Sequence, residues 1–164
     1  MTALAEMSAG PGNPPLGSGS FHASLGANGE NLTEMRNFSF DHVPLAGLTE
    51  LSYWTYRTMD GAGPNRNIYV ILNIDTDGNG SGDDVIYFEP RFQHGGNPGL
   101  PDQGETATGI WQKWDAYLGG WWSWNHTEVM APGTNVQSLA TYLVAFPSAR
   151  IVNGLSGGGV RLMA

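Results

Sequence analysis

The stretch NIYVILNIDTDGNGSGDDVIYFE, residues 67–89, decides the fold of this chain of 164 residues. In its first part alternate residues are aliphatic, as in a strand that buries one face; these are Ile68, Val70, Leu72 and Ile74. Tyr69 and Ile71 put apolar surface on the other face as well, which predicts a central strand covered from both sides. Asp84–Glu89 is predicted to be its hairpin partner, and Pro90 ends that second strand.

The segment between these two strands has the composition of a calcium loop. Ca²⁺ takes about six to eight oxygen ligands and needs a sharp backbone turn, which Gly80 supplies. The side chains at the positions of ligands are Asp75, Asp77, Asn79 and Asp83. An EF-hand is excluded, because it needs flanking helices and an acid at the position of Ile86. The alternative is a solvated hairpin turn, since Asn-Gly and Asp-Gly favour such turns without a metal.

The spacing Asp-x-Asp-x-Asn-Gly-x-x-Asp resembles the calcium hairpin loops of integrin-type β-propeller repeats. The chain has no repeat, so the resemblance covers the loop alone and does not imply a propeller. It implies a Ca²⁺ ion held by the four side chains together with the backbone carbonyl of Ser81. We expect the ion to have a structural role, because its charge would relieve the repulsion among the crowded carboxylates.

Composition narrows the class of protein and of partner. The net charge is −8, only 13% of residues are charged, and Gly and Pro number 24 and 10, which is typical of an all-β chain with many turns. No stretch is basic, so neither nucleic acid nor an anionic membrane surface is an expected partner. There is no cysteine, which excludes disulfides and thiolate sites. Apolar runs such as Ile68–Leu72 are too short to span a membrane.

Period-two patterns and turn residues divide the rest of the chain. Residues 1–19 are predicted to be a flexible Gly/Pro-rich arm, and residues 20–164 a single β-sandwich domain. Further strands are predicted over 20–25, 34–40, 50–57, 110–115, 120–124, 149–153 and 159–163. One short helix is expected near 138–146, because Leu139, Tyr142, Leu143 and Phe146 form one helical stripe. The predicted fold is an all-β, antiparallel, jelly-roll-like sandwich.

A cluster of aromatic residues is the candidate ligand-binding surface. Exposed Trp and Tyr rings can stack on the apolar faces of sugar rings. The candidates are Tyr117, Trp121, Trp122 and Trp124. The alternative is that these rings only fill the core of the sandwich.

Catalysis is not expected. The four histidines stand alone, no Gly-x-Ser-x-Gly elbow occurs, and no Gly-rich phosphate loop follows a strand. A pair of acids in a glycosidase arrangement is conceivable among the scattered carboxylates, but no spacing supports it.

Taken together, several segments resemble a largely uncharacterised module of secreted and cell-surface bacterial proteins, similar in character to concanavalin-A-like and carbohydrate-binding jelly rolls. The segments are 51–57, 74–90, 111–115, 119–123, 139–152 and 158–162. The resemblance implies an extracellular or cell-surface location and a non-catalytic role, but it does not give the ligand. The expectation of a glycan partner comes from the aromatic cluster alone.

Modules of this kind usually continue for another strand after the segment Gly159-Val160-Arg161-Leu162. A sandwich that lacks a strand has an open edge, and open edges recruit strands from neighbouring chains. The resemblance therefore carries a second expectation of a different class. The protein would be a self-assembling structural subunit of a surface filament or coat, a homo-oligomer joined through the arm at residues 1–19 or through the open edge.

Overall fold

The computed structural model describes residues 4–24, 32–58, 67–154 and 158–164. Within them the chain is built almost entirely from short strands. The strands are β1 (Leu4–Ala9), β2 (Gly19–Ser24), β3 (Glu34–Asn37), β4 (Ser52–Tyr56), β5 (Tyr69–Asp75), β6 (Asp84–Phe88), β7 (Trp111–Asp115), β8 (Trp122–Ser123), β9 (Arg150–Ile151) and β10 (Val160–Met163). The one α-helix of the described residues is α1 (Leu139–Ala145), and 3₁₀ turns occur at Leu45–Gly47 and Pro90–Phe92.

All strand pairs are antiparallel. The principal sheet has the order β3-β10-β5-β6-β8, with β9 pairing the end of β5 beyond β10. Strands β4 and β7 form a second, two-stranded sheet, and β1 pairs with β2. The predicted central hairpin is confirmed, because β5 and β6 pair from Val70↔Phe88 to Ile74↔Asp84. The antiparallel, sandwich-like all-β fold predicted from the sequence is thereby confirmed.

One face of the principal sheet builds the core. Alternate residues of β5 and β6 are buried there, namely Val70, Leu72, Ile74, Ile86 and Phe88. The second sheet covers them with Trp114, whose Nε1 donates to Thr55 Oγ1 at 2.9 Å, and with Tyr53, whose ring meets that of Phe88 edge-on at 6.0 Å. Burial of this apolar surface is the main favourable term for the fold.

Helix α1 closes another side of the core, where the sequence predicted it. The Ser138 hydroxyl caps its start by accepting the N–H of Thr141 at 3.1 Å. Leu139 and Tyr142 are buried, whereas Val144 on the opposite face is exposed. The amphipathic stripe thus predicts both the position of the helix and its buried face.

Gly119 and Gly120 are required by close packing. A Cβ on Gly119 would lie 2.4 Å from the Phe88 ring, and a Cβ on Gly120 would lie 2.3 Å from the Val136 side chain. The side-chain amide of Gln93 also bonds to the backbone of Gly120. Its Oε1 accepts the Gly120 N–H and its Nε2 donates to the Gly120 carbonyl, both at 2.8 Å.

The N-terminal segment contains a strand that the sequence does not predict. Within the flexible Gly/Pro-rich arm predicted over residues 1–19, Leu4–Ala9 forms β1 and pairs along its whole length with β2. Alternate apolar residues pair across one face of this hairpin, as in Met7↔Phe21. The sequence did not predict this pairing, because the turn between the two strands is rich in Gly and Pro. The indole Nε1 of Trp111 donates to the carbonyl of Pro11 at 2.9 Å and ties the turn to β7.

A buried carboxylate joins three elements of the core. Asp84, the first residue of β6, is 2% exposed. Its oxygens accept hydrogen bonds from the Tyr142 hydroxyl of α1 at 2.6 Å and from the Ser123 hydroxyl of β8 at 2.8 Å. The N–H groups of Val85 and Asn125 add bonds of 2.7 and 3.1 Å. A charge is tolerated in an apolar core only when hydrogen bonds replace its hydration, and this set does so.

We predict that Tyr142→Phe lowers the free energy of unfolding by about 1–3 kcal/mol, because it removes a donor from a buried charged acceptor. Burial, followed by the bond to Asp84 and its charge, raises the pKa of Tyr142. The contribution of the protonated Tyr142 hydroxyl to the free energy of unfolding is therefore complete below the unfolded-state pKa of about 10. It is lost as the pH rises above that value, by up to about 1.4 kcal/mol per pH unit. Urea unfolding at pH 7 and at pH 11 measures both effects.

The control is Tyr117→Phe, since Tyr117 is an exposed tyrosine outside the core. Equal stability of Tyr142→Phe and the unmodified protein at pH 7 would contradict the role assigned to the bond with Asp84.

Candidate functional site

The candidate metal loop connects β5 to β6, and the two strands hold its ends together. The N–H of Asp83 donates to the carbonyl of Ile74 at 2.9 Å, which closes the loop at its base. Asp75 is fully buried beneath the loop. Its Oδ1 accepts the N–H of Gly78 at 2.7 Å, and its Oδ2 accepts that of Gly80 at 2.8 Å. The buried carboxylate therefore shapes the loop above it.

The other predicted ligands also bond within the loop. Asp77 Oδ1 accepts the N–H of Asn79 at 3.0 Å, and Asp77 Oδ2 accepts its side-chain amide at 3.0 Å. Asn79 Oδ1 accepts the N–H of Ser81 at 2.8 Å. Asp83 accepts from Thr76 twice, from the N–H at 3.0 Å and from the hydroxyl at 2.8 Å. These bonds leave further lone pairs on each carboxylate.

Three of the predicted ligands converge. Carboxylate oxygens of Asp75, Asp77 and Asp83 lie within 4.8 Å of one another. Ligands at about 2.3–2.6 Å from a Ca²⁺ ion lie at most about 5 Å apart, so one cation fits among the three oxygens. The oxygen-only donor set is that of a hard cation. Asn79 and Ser81, the two predicted ligands that are not acids, contact their loop neighbours.

The loop keeps its buried acid ionised. Burial alone would raise the pKa of Asp75, but the N–H groups of Gly80 and Gly78 oppose it. With the contacts from Asp77 and Asn79, they lower the pKa below its ordinary value. At neutral pH the carboxylate is thus available as an anionic ligand.

An arginine packs against the loop. Arg150 lies opposite Asp75 in the pairing of β9 with β5, and its guanidinium is 3.3 Å from the position of a Cβ on Gly78. Its Nε is buried and has no hydrogen-bond partner among the described residues. The guanidinium therefore adds positive charge beside the acids. Gly78 itself has a φ of 81°, in the left-handed region that favours glycine.

The second candidate surface lies on the face of the principal sheet that points away from the core. The rings of Tyr87 and Trp122 stack there at 4.1 Å with 6° between their planes. The ring centres of Tyr69 and Trp124 lie 6.4 and 6.5 Å from that of Tyr87. We call these four rings the aromatic row. Trp124 is 65% exposed and forms its open end.

The structure divides the aromatic residues that the sequence proposed as ligand-binding. Trp122 and Trp124 belong to the aromatic row, where Trp124 is exposed but Trp122 is only 9% exposed beneath Tyr87. Trp121 is fully buried in the core, and its Nε1 donates to the carbonyl of Ala116 at 2.8 Å. Trp121 therefore offers no surface to a ligand, because consecutive strand residues face opposite sides of the sheet. Tyr117 is exposed but makes no ring contact with the row among the described residues.

Sequence reasoning missed Tyr69 and Tyr87 as surface residues. The available signal was their alternation with core residues, since each precedes a buried residue of the central hairpin, Val70 or Phe88. Because successive side chains of a strand point to opposite faces of the sheet, a buried neighbour means that each tyrosine side chain lies on the face away from the core.

Comparisons of the chain with protein-family models, with curated proteins and with solved structures found no match. The resemblance to a bacterial secreted module thus stays a prediction, while its coarser content, a β-rich antiparallel architecture, agrees with the structure. No helix within the described ranges has the length and apolar character needed to cross a membrane.

We predict that Asp77→Asn weakens cation binding without unfolding the protein, because Asp77 is exposed and its loss removes one ligand charge. At about a hundred times the dissociation constant, Ca²⁺ should stabilise the unmodified protein by about 2.7 kcal/mol, or about 5–10 °C in melting temperature. Calorimetry in CaCl₂ and after chelation measures this gain.

Glu50→Gln, an equal change of charge at an exposed acid outside the loop, is the control and should keep the full gain. A melting temperature that neither CaCl₂ nor chelator moves would eliminate the metal site.

Proposed function

We propose that this protein is an extracellular, non-catalytic binding module, stabilised by Ca²⁺, whose aromatic row binds carbohydrate. The observation that carries the proposal is the row itself, in which the 65% exposed ring of Trp124 lies beside the stacked pair of Tyr87 and the 9% exposed Trp122, on the face of the sheet away from the core. Flat apolar rings beside polar groups match a sugar, which has an apolar ring face and a hydroxylated edge.

Polar groups of the kind that bind hydroxyls border the aromatic row. Glu89 accepts the indole N–H of Trp122 at 2.8 Å and is paired with Arg91 at 2.7 Å. Arg161 lies on the same face, where its guanidinium donates to Asn73 Oδ1 at 3.2 Å. Charged groups with several donors and acceptors can orient a sugar that the rings hold by stacking.

Calcium and the extracellular location support each other in this proposal. The loop offers only three clustered carboxylates, and extracellular modules bind Ca²⁺ with dissociation constants of about 10⁻⁴–10⁻³ M. Such a site would fill where the free ion is abundant. We assign the ion a structural role, because its cluster lies at the end of the central hairpin.

We predict that Trp124→Ala weakens glycan binding at least tenfold, about 1.4 kcal/mol, because it removes the most exposed ring of the aromatic row. A glycan array identifies a ligand, and titration of tryptophan fluorescence then gives its dissociation constant. The matched control is Tyr117→Ala, which removes an exposed ring outside the aromatic row and should leave affinity unchanged. Failure of the unmodified protein to bind any glycan on the array would refute the proposal.

A self-assembling structural subunit is the second candidate. The observation that favours it is the β1–β2 hairpin, whose strands pair with no other strand in the described part of the chain. Met7 is 74% exposed on β1, and Leu4 is also exposed. A two-stranded ribbon with free edges and an apolar face can accept a strand or a sheet from a neighbouring chain.

If assembly uses this hairpin, Met7→Asp in the full chain should abolish oligomers, because a charge on the apolar face opposes strand addition. Removal of residues 1–19 should do the same, and light scattering coupled to size separation reports both. Val144→Asp, a similar change at an exposed position of α1, is the control. A monomeric unmodified protein, or oligomers that persist in both hairpin variants, would exclude the hairpin as the assembly element.

A further inference from the structure

Strand β3 forms one edge of the principal sheet. It pairs with β10 on one side, and no strand of the described residues pairs with its other side. Just before β3, the N–H and the carbonyl of Thr33 both bond to Ala164, at 3.3 and 3.0 Å. Bonded pairs alternate along an antiparallel ladder, so the peptide groups of Glu34 and Arg36 point away from β10. The edge therefore presents donors and acceptors to a further strand.

Large apolar side chains are exposed along the same edge. Leu32, Met35 and Phe38 are 71%, 40% and 53% exposed. Met35 lies opposite Leu162 of β10 on the core face of the sheet, and the alternation of the strand assigns Leu32 and Phe38 to the outer face. Exposed apolar groups beside outward-pointing peptide groups are typical of an edge that pairs with another chain.

The charges of β3 are complementary to those of a second, antiparallel β3. Glu34 and Arg36 share the outer face, where Arg36 Nε donates to Glu34 Oε1 at 2.7 Å. When Met35 is placed opposite Met35 of a second copy, Glu34 comes to lie opposite Arg36 of that copy, and Arg36 opposite its Glu34. The four charges then alternate in sign around a square, and Leu32 lies opposite Phe38 of the second copy. Opposite charges and apolar pairs in directly opposed positions stabilise a sheet.

One register satisfies the peptide groups and the charges together. Outward-pointing peptide groups must face each other, so the register of two β3 strands changes in steps of two residues. A step in one direction puts Arg36 opposite Arg36 of the second copy, and a step in the other puts Glu34 opposite Glu34. Like charges in opposed positions are destabilising. The edge is therefore matched to a second copy of itself in the register centred on Met35.

We propose that β3 is the interface of a symmetric homodimer, in which two copies join edge to edge into one continuous antiparallel sheet. The contact uses the same residues of both copies and closes on itself, so it gives a dimer and not a filament. The two-fold axis of such a pair is perpendicular to the sheet, which puts the aromatic rows of both copies on the same side. The inference goes beyond the carbohydrate-binding function and does not depend on it, but the dimer would let one glycan chain contact two rows.

A single cysteine tests the register, because the chain contains none. The central Met35 pair is a non-hydrogen-bonded pair, in which the Cα atoms are about 4.5 Å apart, within the distance that a disulfide spans. Met35→Cys in the full chain should therefore give a covalent dimer on mild oxidation, seen by non-reducing electrophoresis. Met7→Cys, at a 74% exposed methionine of the β1–β2 hairpin, is the matched control and should stay monomeric.

Sedimentation equilibrium of the full chain, over a series of protein concentrations, tests the charges. The unmodified protein should approach twice the monomer mass. Arg36→Glu should weaken dimerisation at least tenfold, because it puts a second acid opposite Glu34. The double variant Glu34→Arg/Arg36→Glu exchanges the two charges and should restore the dimer. Lys113→Glu, an equal change of charge at an exposed position of β7, is the control and should dimerise as the unmodified protein does.

Three outcomes would overturn the interface. They are an unmodified chain that stays monomeric at every concentration, a dimer that Arg36→Glu leaves intact, and a double variant that keeps its circular dichroism spectrum but does not dimerise. A dimer lost in Met7→Asp but kept in Arg36→Glu would assign the association to the β1–β2 hairpin instead. Because no glycan enters these measurements, failure of the carbohydrate-binding function leaves the dimer intact, and loss of the dimer leaves that function to its own test.

Discussion

The buried carboxylate of Asp84 is the constraint on which the remaining structure depends. It brings β6, β8 and α1 to one point, through Ser123 and Tyr142. A buried charge that loses its donors costs far more than an ordinary hydrogen bond, so the three elements are held in one arrangement. The same bonds place β8, and with it Trp122 and Trp124, next to the hairpin that carries the candidate metal loop.

The side chains of the adjacent acids Asp83 and Asp84 point in opposite directions, one into the metal loop and the other into the core. Successive side chains of an extended chain alternate in direction. Asp83 accordingly contacts Thr76 and joins the carboxylate cluster, whereas Asp84 enters the core. The sequence shows two equivalent acids at the end of an acidic loop, and only the packing of α1 and β8 against β6 distinguishes them.

Local patterns predicted the elements that depend on local physics. The alternation in 67–89 predicted the central hairpin, and the stripe ending at Phe146 predicted α1. The convergence of Asp75, Asp77 and Asp83 also followed from spacing within one loop. What the sequence did not predict depends on partners distant in the chain. The pairing of β4 with β7 joins segments more than fifty residues apart, and the strand β1 is defined by its pairing with β2 rather than by its own composition.

The direction of each tryptophan in the aromatic cluster also could not be predicted from local sequence. Trp121 and Trp122 are neighbours of one residue type, and a pattern of tryptophans cannot tell which one faces outward. The pairing of Tyr87 with Trp122 settles the direction, and Trp121 then enters the core beside Phe88. Deciding between binding surface and core therefore required the register of β6 and β8, a tertiary property.

The Gly119–Gly120 pair has an evolutionary consequence. Both positions are filled by neighbouring atoms, from Phe88 on one side and Val136 on the other. Even the smallest side chain would force the surrounding core apart, so drift at these sites is blocked regardless of what the protein binds. The tolerance of this corner of the core to substitution is therefore set by the two glycines, independently of the residues on the outer face of the sheet.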